Sequence, residues 1–98
     1  MHYHIVLMSF TPKADAAFFE KVKGYSKRIR SECADVVTYV MVKNLASRSD
    51  GLTHAVVSTF CSSLAHDDYQ ISPVHVEMKS FMAPYIDRIV VLDTEILT

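Results

Sequence analysis

The strand-like segments of this chain are apolar on both faces, and that pattern limits its possible folds more than any other feature of the sequence. From Tyr3 to Phe10, one face carries Tyr3, Ile5, Leu7 and Ser9 and the other His4, Val6, Met8 and Phe10. Between Asp35 and Val42, residues Val36, Val40 and Val42 stand against Val37, Tyr39 and Met41. Near the end, Val90 and Leu92 alternate with Ile89 and Val91. Successive side chains of a strand point to opposite sides of the sheet, so a sheet with one face in water alternates apolar and polar residues. That alternation is missing here, and both faces need a cover.

The segments between the strands supply one cover. Thr11-Pro12 ends the first strand, and proline suits a first helical turn, so the sequence predicts a helix from Lys13 to Ala34. Along it, Phe18, Val22, Tyr25, Ile29 and Cys33 recur at three- and four-residue spacing and form one apolar stripe. Gly24 weakens that helix by about 1 kcal/mol relative to alanine, which marks a bend or a close contact. Asp35 to Val42 reads as the second strand, Asn44 to Gly51 as a polar loop and Leu52 to Phe60 as the third strand. Ser62 to Tyr69 is a short helix capped by Ser62 or Ser63. Ser72-Pro73 opens another helix reaching Met82 or Pro84, and Asp87 to Glu95 holds the last strand.

The order β-α-β-β-α-α-β is that of a split β-α-β unit, a ferredoxin-like α+β fold of βαββαβ type with a four-stranded antiparallel sheet and its helices on one face. Residues 1–98 read as one domain of this kind. The far face of the sheet would exceed the few hundred Å² of contiguous apolar surface that soluble monomers expose. The simplest cover is the same face of a second copy across a two-fold axis. The expected assembly is a homodimer, two four-stranded sheets packed face to face as a dimeric α/β barrel.

Composition excludes several classes of function. The formal net charge is -1 and the basic residues are scattered, so no nucleic-acid partner is expected. No apolar run approaches the roughly 20 residues that cross a bilayer, so no membrane partner is expected either. With 2 glycines in the chain there is no phosphate-cradling loop and no dinucleotide fingerprint, and no cofactor is implied. Cys33 and Cys61 are far apart and fit no metal or redox spacing, which makes them small packing residues. The first residues have no signal-peptide pattern, and the expected location is the cytoplasm.

Five histidines are the chemically interesting residues. With Ser72 as N-cap and Pro73 at N1, His75 occupies the first turn of its helix, where the positive end of the helix dipole disfavours imidazolium. A neutral imidazole there can act as a general base or orient a carbonyl. Tyr69, six residues earlier across a turn, can donate a hydrogen bond to an oxygen that gains charge. The alternative is that His75 serves its helix start and Tyr69 packs in the core. His4 and His54 interrupt apolar faces of neighbouring strands and are expected to line the same pocket as Tyr69 and His75, either orienting a substrate or serving as hydrogen-bonded core residues. His2-x-His4 places two rings on one strand face, and His54 would complete a metal-binding set. His2 lies near a fraying terminus and no carboxylate falls at a helpful spacing, so no metal site is expected. His66, beside Asp67 and Asp68, is expected in solvent.

These segments resemble a known family. His4-Ile5-Val6-Leu7-Met8-Ser9-Phe10-Thr11-Pro12 is similar to the opening of the stress-responsive dimeric A/B barrel domain. Gly51-Leu52-Thr53-His54-Ala55 with Phe60 resembles its central G-aromatic-T-H motif, and Tyr69-Gln70-Ile71-Ser72-Pro73-Val74-His75 its Y-x-x-H-P-x-H motif. Ile89-Val90-Val91-Leu92-Asp93 is similar to its last strand. Leu52 stands where the family often has an aromatic residue and Ser72 where it often has a histidine. The resemblance implies a homodimeric barrel with, for most members, an unassigned activity. One member type, olivetolic acid cyclase, closes a linear polyketide by an aldol reaction without a cofactor. Its tyrosine and histidine match Tyr69 and His75, and its two strand histidines match His4 and His54. The expected function is that of a homodimer with an apolar small-molecule pocket. The alternative is a cofactor-independent polyketide cyclase or lyase with His75 as base and Tyr69 as oxyanion donor.

Overall fold

The fold is described from a computed structural model covering residues 1–96. The elements are β1 (His2–Phe10), α1 (Ala16–Glu32), β2 (Val36–Lys43), β3 (His54–Phe60), α2 (Ser63–Gln70), α3 (Pro73–Met82) and β4 (Ile86–Glu95), with a short 3-10 turn at Ala83–Tyr85. All strand pairs are antiparallel, and their order across the sheet is β2-β3-β1-β4. This is the ferredoxin-like βαββαβ topology, with the second helical region broken into α2 and α3 at Ile71-Ser72.

Helix α1 starts later than its sequence predicts. Thr11 and Pro12 do not begin it. Asp15 does, its carboxylate accepting the Phe18 backbone N–H at 2.9 Å, because an acceptor side chain at the N-cap satisfies an N–H that the helix itself leaves unpaired. The predicted stripe packs as expected. Phe18, Val22, Tyr25 and Ile29 are buried, and Cys33 is half-buried at the helix end. Gly24 marks no close contact, since a Cβ built there meets nothing within 4 Å.

Register sets the two faces of the sheet. In β1, His4 lies opposite Ser58 of β3 and Asp93 of β4, and Val6 lies opposite Val56 and Val91. The His2, His4, Val6 and Met8 side of β1 therefore faces the helices, together with Val56, Ser58 and Phe60 of β3. In β2 the pairing with β3 shifts between Val36 and Thr38. Such a bulge carries a strand across the alternation, so Val36 joins Tyr39 and Met41 on the helix side, and Val40 and Val42 stand opposite. A strict alternation had placed Val36 with Val40 and Val42. Beneath the helices the core gathers Phe18, Val22, Ile29, Tyr39, Phe60, Tyr69, Val74 and Met78.

The helices make their main contacts with β2, β3 and β1 and cover β4 sparsely, α2 reaching it where His66 approaches Asp93 at 3.6 Å. Ile89 and Val91 point to the helix side yet stay half exposed, at 54% and 51%. On the opposite face Val40, Val42, Val90 and Leu92 are exposed across both edge strands. No helix among the described residues is long and apolar enough to cross a membrane.

Two substitutions in α1 should move stability in opposite directions. Asp15→Ala removes the cap and should cost about 1 kcal/mol. Gly24→Ala enters open space on a regular helix and should add about 1 kcal/mol. Urea unfolding followed by circular dichroism measures both.

Candidate functional site

The break between α2 and α3 brings Tyr69 and His75 together. Tyr69 ends the buried side of α2, and the chain then turns at Ile71. Ser72 starts α3 as its N-cap, accepting the His75 backbone N–H at 3.3 Å and donating its own hydroxyl proton to the Tyr69 carbonyl at 2.7 Å. Pro73 occupies the first turn. The sequence reading of this turn holds in detail. It leaves the Tyr69 and His75 rings in contact, with centroids 4.2 Å apart.

The His75 ring is fixed from the side of its Nδ1, which donates to the Gln70 carbonyl at 3.0 Å. That bond assigns the proton to Nδ1 and leaves the Nε2 lone pair free to accept. Burial lowers the proton affinity of His75, the carbonyl bond opposes this, and the electrostatic influence of Lys79 and of the neighbouring His4 and His66 adds to the lowering. The ring is neutral at neutral pH. It has the form of a general base.

Tyr69 is of the opposite character. Burial is the main cause that raises its pKa above the ordinary tyrosine value, and neighbouring Tyr39, Cys33 and Asp93 raise it further. It stays protonated and can only donate or accept a hydrogen bond. Its hydroxyl lies 2.8 Å from that of Tyr39, whose own pKa burial pushes up to about 12. When Tyr39 donates to Tyr69, the Tyr69 proton is left for another acceptor. When Tyr69 donates instead, the Tyr39 proton turns toward Met78 Sδ, 3.8 Å away.

A cavity of about 350 Å³ lies beside this pair. Its walls are His4, Val6 and Met8 of β1, Tyr39 of β2, Val56 of β3, Tyr69 and Gln70 of α2, His75, Met78, Lys79 and Met82 of α3, Ala83 of the 3-10 turn, and Ile86, Ile89 and Val91 of β4. The walls are mainly apolar, with His4, Tyr39, Tyr69, Gln70, His75 and Lys79 as the polar groups, and a mainly apolar lining with a limited polar set is the usual make-up of a small-molecule site.

His4 lines this cavity and His54 does not. β1 and β3 are neighbours as expected, but the register sets His54 opposite Met8, four positions along β1 from His4 and roughly 13 Å away. There the His54 ring stacks on Phe19 at 4.6 Å and meets Phe10 edge-on. The expectation of one pocket for both histidines is therefore corrected: adjacency of strands does not fix position along them.

His66 is also misplaced by sequence. It is buried, with its ring 4.3 Å from His2 and 4.5 Å from His4. Nor does His2 stand free, since it pairs with both Phe60 and Glu95 in the sheet and is buried. A carboxylate does reach these rings. Asp93 accepts from His4 Nδ1 at 2.6 Å and from His2 Nε2 at 3.3 Å. Partial burial raises its pKa, but hydrogen bonds from His4 and His2 and the electrostatic influence of His4 and His66 outweigh that, so its pKa lies below the ordinary value. Asp93 is 89 residues from His4 in sequence, so only strand pairing could have revealed it. Tyr39 was read as an apolar strand residue, and nothing in its local sequence marks the hydroxyl contact with Tyr69.

Burial lowers the proton affinity of His54, His66 and His75 alike. The unfolded chain then binds more protons than the folded one below the ordinary value of 6.5. Stability is complete above that pH and falls as pH drops, until the folded rings also protonate. Urea midpoints should decline from about pH 7 to about pH 5, and His75→Gln should flatten the decline.

Residues 3–96 match the sequence profile of the stress responsive A/B barrel domain. The fold is similar to the crystal structure of an Arabidopsis thaliana protein, with TM-score 0.88 and 22% identity over 100% of this chain and 97% of the other. It is similar to a hydroxynitrile lyase from Passiflora edulis, with TM-score 0.86 and 23% identity over 98% of this chain and 93% of the other. A dimeric ferredoxin-like protein of unknown function from Thermobifida fusca gives TM-score 0.81 and 18% identity over 97% and 90% of the two chains. No curated protein sequence matches the chain. At these identities the solved structures speak to the fold, and the profile match gives the family: the chain belongs to the stress responsive A/B barrel domain family.

Proposed function

We propose that the protein works as a cytoplasmic homodimer, joined through the uncovered sheet face, in which each protomer's cavity binds a small, largely apolar molecule. The apolar face carries this reading of the assembly. Val40, Val42, Val90 and Leu92 are all exposed on the face away from the helices. Solved relatives of the same fold from Thermobifida fusca and Bacteroides fragilis are described as dimeric. Two free cysteines suit a reducing compartment. Burying a valine or leucine from each strand against a second copy gains about 1.5–3 kcal/mol per side chain before the cost of association.

A second reading makes the cavity catalytic, and one observation favours it: a neutral His75, anchored through Nδ1, in contact with a protonated Tyr69 at the wall of an apolar cavity. His75 Nε2 would take a proton from a carbon next to a carbonyl, or from a hydroxyl whose deprotonation turns the C–O bond into a carbonyl as the adjacent C–C bond breaks. The electron pair moves to oxygen in the first case and to the departing carbon in the second. Tyr69 would donate to the oxygen of the substrate, and the imidazolium would return its proton to the product. This is cofactor-free cyclase or lyase chemistry, and a hydroxynitrile lyase shares the fold. His4, at the cavity wall, would help to orient the substrate. His54 would not share that task, because it packs elsewhere.

Leu92→Lys and Val40→Lys should each yield monomers in sedimentation velocity at concentrations where the unsubstituted protein is a dimer. A monomeric unsubstituted protein would end the dimer reading.

Thermal shift against phenolic and β-carbonyl compounds tests the cavity. A true ligand at about 100 times its Kd adds about 2.7 kcal/mol, and His75→Ala should weaken the effect. If a compound that binds is also converted, His75→Ala should slow turnover by about 10²–10⁴-fold and Tyr69→Phe by about 10²–10³-fold. Binding without turnover supports the first reading alone.

A further inference from the structure

The proposed chemistry at His75 leaves His2, His66 and Asp93 unused. We propose that these three residues form a site for one divalent transition-metal ion of the zinc class, supported by His4. The three come from β1, α2 and β4, and their ligand atoms all lie within 4.8 Å of one another. His2 Nε2 is 3.3 Å and His66 Nε2 3.6 Å from Asp93 Oδ1. A tetrahedral ion with ligands at about 2.0–2.1 Å separates them by roughly 3.3 Å, so both distances to the carboxylate are near ligand spacing already. The two imidazole nitrogens lie within 4.8 Å of each other, and ligation closes that gap by rotating the stacked His2 and His66 rings.

The donor set is two imidazoles and one carboxylate, which suits zinc-class ions and not calcium or magnesium, both of which prefer all-oxygen sites. Asp93 is the partly exposed member, its side chain 41% exposed, so the fourth position faces solvent and has room for water. His4 Nδ1 donates to Asp93 Oδ1 at 2.6 Å and holds the carboxylate in place, the part a supporting group plays around a metal. The Gln70 amide nitrogen now donates to His66 Nε2 at 3.0 Å. The ion would replace that bond, and the amide, turned over, would present its oxygen toward the site. The ligand set differs from the one the sequence offered: His66 and Asp93 take the places of His54 and His4, and His4 becomes a supporting group.

The test is titration of the untagged full-length protein with Co2+, followed by visible absorption and by equilibrium dialysis. One Co2+ per chain with the intense absorption of a four-coordinate ion, displaced by Zn2+ and not by Mg2+ or Ca2+, is the expected result. His66→Gln and Asp93→Asn should each abolish that signal while circular dichroism shows a folded chain. His4→Gln, which removes a supporting partner only, should weaken binding by about 10–100-fold. His54→Gln and His75→Gln should leave it unchanged, which separates this site from the cavity chemistry. No binding by the unsubstituted protein overturns the proposal, as does binding that survives both His66→Gln and Asp93→Asn, or equal displacement by Mg2+. Should one of those two variants fail to fold, the other decides alone.

Discussion

The structure depends on a mismatch of coverage: the sheet has two apolar faces, and the helices cover one of them only in part. α1 and α2 make the main contacts with β2, β3 and β1, and β4 has the least helical cover. On the helix side, this opens the cavity toward Ile89 and Val91. On the other side, it leaves valines and a leucine facing water. A small domain has little core to spare, so a shortage of helical cover on each face accounts both for the internal space and for the surface that a second copy would seal. One more helix over β4 would close the cavity and leave the far face as exposed as before.

Within the space that remains, burial does most of the chemical sorting. Water is scarce around His75 and Tyr69, and low polarity disfavours the charged form of each. An imidazole held neutral keeps a lone pair, and a phenol held neutral keeps a proton. One physical effect therefore produces an acceptor and a donor in contact. Tyr39 extends this pair into a short chain of hydroxyls whose direction can reverse. At the end of the sheet near His2 and Asp93 the sorting differs, because a carboxylate remains charged among three rings.

What could be read from sequence was what depends on near neighbours along the chain. The apolar stripe of α1, the Ser72 cap, Pro73 in the first turn and His75 three residues on are local patterns, and they stand as read. Element order gave the topology, because few sheets accommodate that order. The Asp15 cap was missed in favour of Thr11-Pro12, two residues that also favour a helix start. The β2 bulge was not legible, since it arises from pairing with β3. The errors at His54 and His66 share a cause. Both required knowing how far along a strand or helix a residue sits relative to a partner remote in sequence. Asp93 illustrates the limit, because its contact with His4 exists only through the β1–β4 register.

The Tyr69–His75 segment has a consequence of another kind. Every contact that orients His75 in its turn comes from within that short stretch: the Ser72 cap, the Gln70 carbonyl and the Tyr69 ring. The facing wall of the cavity belongs to Ile89 and Val91, half-exposed residues on an edge strand with little helical cover. Reactive groups and this wall are thus carried by separate pieces of chain. Substitutions in β4 can reshape what fits without disturbing the imidazole, so a lineage can exchange one guest molecule for another while inheriting the same turn intact.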